Sequence, residues 1–236
     1  MIPTHTSADE PDVPVALLPI GSHEQHGPHL PLSTDTVIAC TVAAAVAQEY
    51  PVRLLPPVAI SCSHEHAGWP GTVSISAATL HAVVRDVAES LRREGVPRLV
   101  LVNGHGGNYV LGNIVQEAHG AMALFPGPEE WEEARAAAGM ETDGITDMHA
   151  GELETSILLH AHPGLVRDGY EKADHVADDR RRLLTTGMAP YTESGVIGRP
   201  SLASAGKGRD ALGHLIRAFG GCLAALDQQD GRAGQA

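Results

Sequence analysis

The feature that most constrains this chain is an alternation repeated along its first half, in which a short apolar run leads into a polar turn and then a stretch of helical spacing. Val13 to Ile20 (VPVALLPI) is almost wholly apolar and ends at Gly21, as a strand buried on both faces of a parallel sheet does. Asp35 to Gln48 has helical length and alanine content, with Thr34 or Asp35 placed to cap it. Val52 to Ile60 reads as a second strand. Ser76 then opens a helix whose Leu80, Val83, Val84, Val87 and Leu91 share a face, and Gly95 stops it. Arg98 to Val102 is a third strand, Tyr109 to His119 a helix, and Ala121 to Phe125 a fourth strand. This order predicts one α/β domain, a mostly parallel central sheet flanked by helices, with ligands gathered at the strands' C-terminal ends.

Beyond Pro126 the periodicity weakens. PEEWEEARAAAG is a charged helix candidate, Gly151 to Ala161 a second, and Asp210 to Leu226 a closing amphipathic one, with a polar stretch from Asp168 to Gly208 between the last two. The expected organisation is a flexible lead over 1–12, one domain over 13–226 and a fraying tail over 227–236. Aromatic residues make up only 3% of the chain, so its core must be built from Ala, Val, Leu and Ile.

Charge and cysteine usage narrow the function classes. Sixteen basic against 29 acidic side chains give a net charge of −13, and the one basic cluster is Arg180, Arg181 and Arg182, which argues against a nucleic-acid or anionic-membrane surface. No segment has the roughly 20 apolar residues that span a bilayer, and the N-terminus lacks the pattern of a signal peptide, so a cytoplasmic protein is expected. Cys40, Cys62 and Cys222 are too few and too far apart for a disulfide framework or a cysteine knuckle.

Histidine is the compositional oddity. Half of the 14 lie in four segments, GSHEQHGPHLPLSTD, SCSHEHAGWPG, NGHGGN and DMHAGELETS, and three of these follow expected strands. Imidazoles recurring with carboxylates at strand ends favour a metal centre over scattered surface histidines. Glu24 and His26, two apart in an extended segment, face the same way, and Asp35 returns at the helix start. Capping of turns is the competing role for both acids. His105 sits among glycines that allow close approach, and His149, Glu152 and Glu154 come from the fourth segment. Glu24, His26, Asp35, His105 and Glu152 make five candidate ligands, more than one zinc needs and suited to two ions sharing a carboxylate. His64, Glu65 and His66 precede Trp69 in a strand-end loop and are read as lining the pocket, nearer to substrate shaping than to ligation. His64, His66 and Trp69 are assigned to substrate binding, and Trp69 or Trp131 to covering the ligand.

These four segments, in this order and spacing, resemble the creatininase family, the creatinine amidohydrolases, over about Val13 to Gly208. The resemblance implies a single α/β domain, two divalent ions per chain (Zn, Mn or Fe), hydrolysis of a non-peptide or unusual C–N amide bond, and often a hexamer built as a trimer of dimers. By motif, Glu24 and His105 would hold one ion, His26 the other, and Asp35 would bridge them. His149 would take the catalytic histidine's place. Creatininase itself has a glutamate ligand where this chain has Gly107, so Glu152 is assigned as the replacement and Glu154 as the group orienting His149, the two glutamates being exchangeable. The tryptophan-bearing loop that encloses creatinine is reorganised here. The expected substrate is therefore a small cyclic amide or formamide, with mycofactocin-type precursor-peptide cleavage as the alternative, and a non-catalytic metal-stabilised binding or assembly protein as the alternative of another class.

Overall fold

The structure is a computed structural model and describes residues 4 and 6–233. Four strands, β1 (Val15–Ile20), β2 (Arg53–Leu54), β3 (Arg98–Asn103) and β4 (Met122–Phe125), form one sheet in the order β2-β1-β3-β4, and every pairing is parallel. The helices, in chain order, are α1 (Thr34–Glu49), α2 (Ala77–Arg93), α3 (Val110–Glu117), α4 (Pro128–Ala137), α5 (Glu152–Ala161), the single turn α6 (Leu183–Thr186) and α7 (Ala205–Ala233).

The sheet is covered on both faces, as its near-continuous apolar strands require. Alternation along β1 and β3 divides them: Val15, Leu17, Val100 and Val102 join a core with α1, α5 and α7, whereas Ala16, Leu18, Leu99 and Leu101 join a second core with α2 and α3. Ser76 caps α2 by accepting from the Thr79 amide, and Leu80, Val84 and Leu91 form the buried side of that helix.

The second strand is shorter than Val52 to Ile60. Only Arg53 and Leu54 pair in a ladder, and an isolated bridge joins Ile20 to Val58. Pro56 and Pro57 lie between and have no amide proton to donate, so the ladder breaks there. Asp35 does not cap α1 either. Ser33 holds the cap position without a side-chain bond, and the Asp35 carboxylate turns towards histidines instead. At the other end, α7 runs to Ala233, beyond the Leu226 boundary read from the sequence. The expected flexible segments fall partly on residues 1–3, 5 and 234–236, which lie outside the described residues. Arg53 pairs with Glu10, so part of the lead packs against the body.

The strand order fixes where the site forms. Chain leaving β1 passes to one side of it and chain leaving β3 to the other, so their C-terminal ends flank a crevice at a topological switch point. Gly104 lets the β3 exit close on the start of α1, because a Cβ there would lie 2.3 Å from the Asp35 carbonyl oxygen. No helix among the described residues is long and apolar enough to cross a membrane.

Candidate metal centre

The loop after β1 carries Glu24 and His26, the first turn of α1 carries Asp35, and the loop after β3 carries His105. All four side chains are buried in the crevice. His26 meets an acceptor at each ring nitrogen, with Nδ1 3.1 Å from the Glu24 carbonyl and Nε2 2.9 Å from Asp35 Oδ1. His105 is placed likewise. Its Nδ1 lies 3.0 Å from Asp35 Oδ2, and its Nε2 lies 2.9 Å from the Cys62 carbonyl and 3.1 Å from Glu24 Oε2. Each Asp35 oxygen thus faces a different imidazole, and the Ser22 hydroxyl donates to Oδ2 at 2.7 Å. The NGHGGN loop is held by its asparagines, since Asn103 brackets the His105 backbone and Asn108 ties Asn103 to the Cys62 amide.

His149 enters from the segment before α5, fixed by paired backbone bonds with Ile197. Its Nε2–H donates to the Gln25 carbonyl at 2.6 Å, which leaves Nδ1 as the lone-pair nitrogen, 3.8 Å from Glu24 Oε1. Its ring lies 4.2 Å from that of His26 and 4.4 Å from that of His66. Glu154, in the first turn of α5, reaches within 3.9 Å of His26 Nε2 and accepts the Ala150 amide.

The fit to a cation is tested by Glu24. Its carboxylate is fully buried, yet neither oxygen receives a hydrogen bond of ordinary geometry. Ring nitrogens of His66, His105 and His149 instead stand 3.1–3.8 Å from it. Unpaired buried carboxylates are costly, and one facing several imidazoles has the surroundings of an ion's ligand. The protonation balance points the same way. Burial and the Asp35 charge push Glu24 up to about 8. Burial opposes the His26 imidazolium, but Asp35 outweighs it and lifts the ring to about 10. Burial, aided by the His105 charge, drives His66 down to about 3, and burial takes His149 well below its usual range. Burial raises Glu154 to about 7 against the pull of His26. Against the cost of burial, His105, like His26, is held protonated by the acids around it, and Asp35 is held ionised. Protons on two rings thus balance charge that a bound cation would balance instead.

Three groups bring ligand atoms within 4.8 Å of one another: Glu24, Asp35 and His105; His26, His149 and Glu154; and Glu24, His66 and His149. Second-neighbour carbonyls orient the rings, as ligating histidines require. Glu24 accounts for His26, Cys62 for His105 and Gln25 for His149.

Glu152 is not among them. Its carboxylate, wholly buried, accepts from the Glu141 and Thr142 amides, the Thr142 hydroxyl and the Lys207 ammonium. These donors hold Glu152 outside the convergent groups, where the sequence assigned it as a ligand, whereas Glu154 reaches His26. Glu154 does not orient His149 by a hydrogen bond; the Gln25 carbonyl does. His66, assigned to substrate, lies inside the cluster against Glu24, while His64 is exposed and Trp69 bonds the Glu193 carbonyl. Glu65, read from the sequence as shaping the pocket, lines the cavity, while Gln25 was not singled out although it neighbours His26.

A cavity of about 580 Å3 opens onto the cluster. His66, His105, His149 and Glu154 form its inner wall, and Trp131, not Trp69, supplies the indole. Three overlapping acid–imidazole groups at the mouth of a doubly wound sheet define a class: a metal-dependent hydrolase with a dinuclear divalent-metal centre. Residues 3–222 match the creatininase family profile, described as creatinine amidohydrolase, and the chain belongs to that family. It is 37% identical over 214 residues to the mycofactocin precursor peptide peptidase of Mycolicibacterium smegmatis, covering 86% of this chain and 82% of that protein. Identity to the creatinine amidohydrolase of Pseudomonas putida is 30% over 173 residues, or 64% and 66% of the two chains. Among solved structures, a creatininase superposes with a TM-score of 0.76 at 26% identity, covering 89% and 88% of the chains. A manganese creatininase gives 0.73 at 25%, covering 92% and 91%. The chain is a hydrolase acting on a C–N bond.

Proposed function

We propose that this chain is a metal-dependent peptidase acting on a precursor peptide of the mycofactocin type. The observation that carries this reading is the 37% identity to such a peptidase across most of both chains, against a shorter and weaker match to a creatinine amidohydrolase. The cavity volume supports it, because about 580 Å3 falls in the range of roughly 300–1,000 Å3 that receives ligands larger than one small ring. A small cyclic amide is the second reading, favoured by the creatininase structures that share the fold.

In this reading Glu24, Asp35 and His105 hold one ion, and His26 with Glu154 holds the other, Asp35 lying between the two imidazoles. When bound, two divalent ions activate water at neutral pH and polarise a scissile carbonyl. His149, with its Nε2 proton committed to the Gln25 carbonyl, takes a proton from the attacking water at Nδ1 and passes it to the leaving nitrogen. The same reading extends to a cytoplasmic homo-oligomer, a hexamer by family resemblance, with no nucleic-acid partner.

The test incubates metal-loaded protein with a modified mycofactocin precursor peptide and, separately, with creatinine and a formamide, and follows products by mass spectrometry. Cleavage of the peptide alone is the expected result. Turnover of only the small amides would replace the reading, and binding without turnover of any would favour an assembly protein.

A further inference from the structure

Glu65 is the middle residue of a 3-10 turn spanning His64–His66, and its backbone is pinned because the Met188 amide donates to its carbonyl. Its side chain reaches into the cavity over Gly107. A Cβ at position 107 would lie 1.9 Å from Glu65 Oε1, so the absence of a side chain there is what admits the carboxylate.

Two functions are open to a carboxylate so placed, and geometry separates them. Glu65 Oε1 lies 3.3 Å from His105 Nε2 and 4.0 Å from His66 Nε2, yet Glu65 belongs to none of the three groups whose ligand atoms converge. His105 Nε2 already has the Cys62 carbonyl at 2.9 Å, so its proton sits on that side and the other nitrogen faces Asp35. Glu65 therefore stands beside the metal centre without completing it.

Apart from the His105 and His66 rings, which belong to the metal cluster, no cationic side chain of the cavity among the described residues reaches Glu65. Arg135 is the one Arg or Lys among the described residues lining this cavity, and both its amino groups are spent on Asp147, at 2.8 Å to the carboxylate and 3.0 Å to the carbonyl. Glu65 keeps 18% of its side chain exposed to the cavity, and the rings of Tyr109 and Trp131 line the same space. A partly desolvated carboxylate with aromatic neighbours and no Arg or Lys partner is suited to an organic ammonium, which gains both a charge-assisted hydrogen bond and ring contact.

We infer that Glu65 is the specificity carboxylate of this site, and that it binds an ammonium group of the substrate whose attached aromatic or apolar part rests against Trp131 and Tyr109. The inference rests on the reading of the cavity as a substrate site and not on which bond is cleaved. Its test is a binding measurement and needs no turnover.

Isothermal titration of the metal-loaded full-length protein with phenethylamine and with its neutral isostere 2-phenylethanol supplies that test. Wild type is expected to prefer the amine by about tenfold or more, the scale of a hydrogen bond to a charged group. Glu65→Gln abolishes the preference, leaves affinity for the alcohol within about twofold and retains the metal content. Glu65→Ala, which removes the carboxylate altogether, gives the same loss by a second route and covers a Glu65→Gln protein that fails to fold. Glu132→Gln, altering a rim carboxylate that is half exposed, leaves the preference intact. No amine preference in wild type, equal loss of both probes, or release of metal in Glu65→Gln overturns the inference, the last by making Glu65 a ligand. Failure of peptide cleavage with the preference intact would overturn only the peptidase reading.

Discussion

Glu152→Gln separates a structural glutamate from a metal-binding one, and its cost can be worked from the contacts. The carboxylate is fully buried and meets the Lys207 ammonium, two amides and a hydroxyl. A glutamine keeps one accepting oxygen and turns an NH2 group towards donors that need an acceptor. Removing one charge of a buried pair costs about 3–5 kcal/mol, and the lower end applies because Lys207 retains 19% exposure and the Leu202 carbonyl. For a chain of this size about 3 kcal/mol lowers Tm by about 6–12 °C. The assay compares chelated proteins by calorimetry, so that metal linkage does not enter, and then reloads them for elemental analysis. Glu152→Gln should lose thermal stability and still bind two ions per chain. Glu154→Gln should do the reverse, losing metal with a smaller change in the chelated Tm. Loss of metal without loss of stability in Glu152→Gln would refute the geometry described above.

Further outcomes follow from the same contacts. Asp35→Ala removes the carboxylate that faces both His26 and His105, so metal content should fall from two ions to one or fewer by elemental analysis; an unchanged content would rule out a bridging position. His149→Ala should retain at least one ion while lowering turnover about 10²–10⁴-fold, the range of general acid–base catalysis, and full activity would end its proposed role. Metal uptake by the chelated protein should release protons, because Glu24, raised to about 8, gives one up to become a ligand; titration in buffers of different ionisation heat reads this directly. Burial lowers His29 from 6.5 to about 4, so the folded ring stays neutral while the unfolded one charges. Its contribution to stability is complete above pH 6.5 and is lost as pH falls towards 4. Chelated His29→Gln should therefore show a smaller fall in urea midpoint between pH 7.5 and 5 than the parent, and equal slopes would contradict this.

Much of the fold is legible because apolar runs and helical spacing are local signals. β1, β3, β4 and the helices α1 to α5 fall within a few residues of where those patterns place them. The second strand was overextended because the run Leu54 to Ile60 is apolar while its prolines cannot join a ladder. In the centre, Glu24, His26, Asp35 and His105 converge as expected from loops that follow β1 and β3, since strand order places those two loops side by side. His66 was placed outside the cluster because its neighbourhood depends on Gln25 and Glu24, over 40 positions earlier in the chain.

Local patterns suffice for a parallel α/β domain with imidazoles and carboxylates at its strand ends, because burial period and loop position are properties of neighbouring residues. Between paired candidates two positions apart, packing across the fold makes the choice. On a helix such residues point roughly 200° apart, so Glu152 and Glu154 cannot both face the convergent histidines. The rotation of α5 chooses, fixed by Asp147 accepting the Glu152 and Leu153 amides at its start and by burial of Ile157 and Leu158. The 3-10 turn at His64 and His66 makes the same choice, exposing one imidazole and burying the other. These rotations are set by packing against elements distant in the chain, and so no local pattern records them.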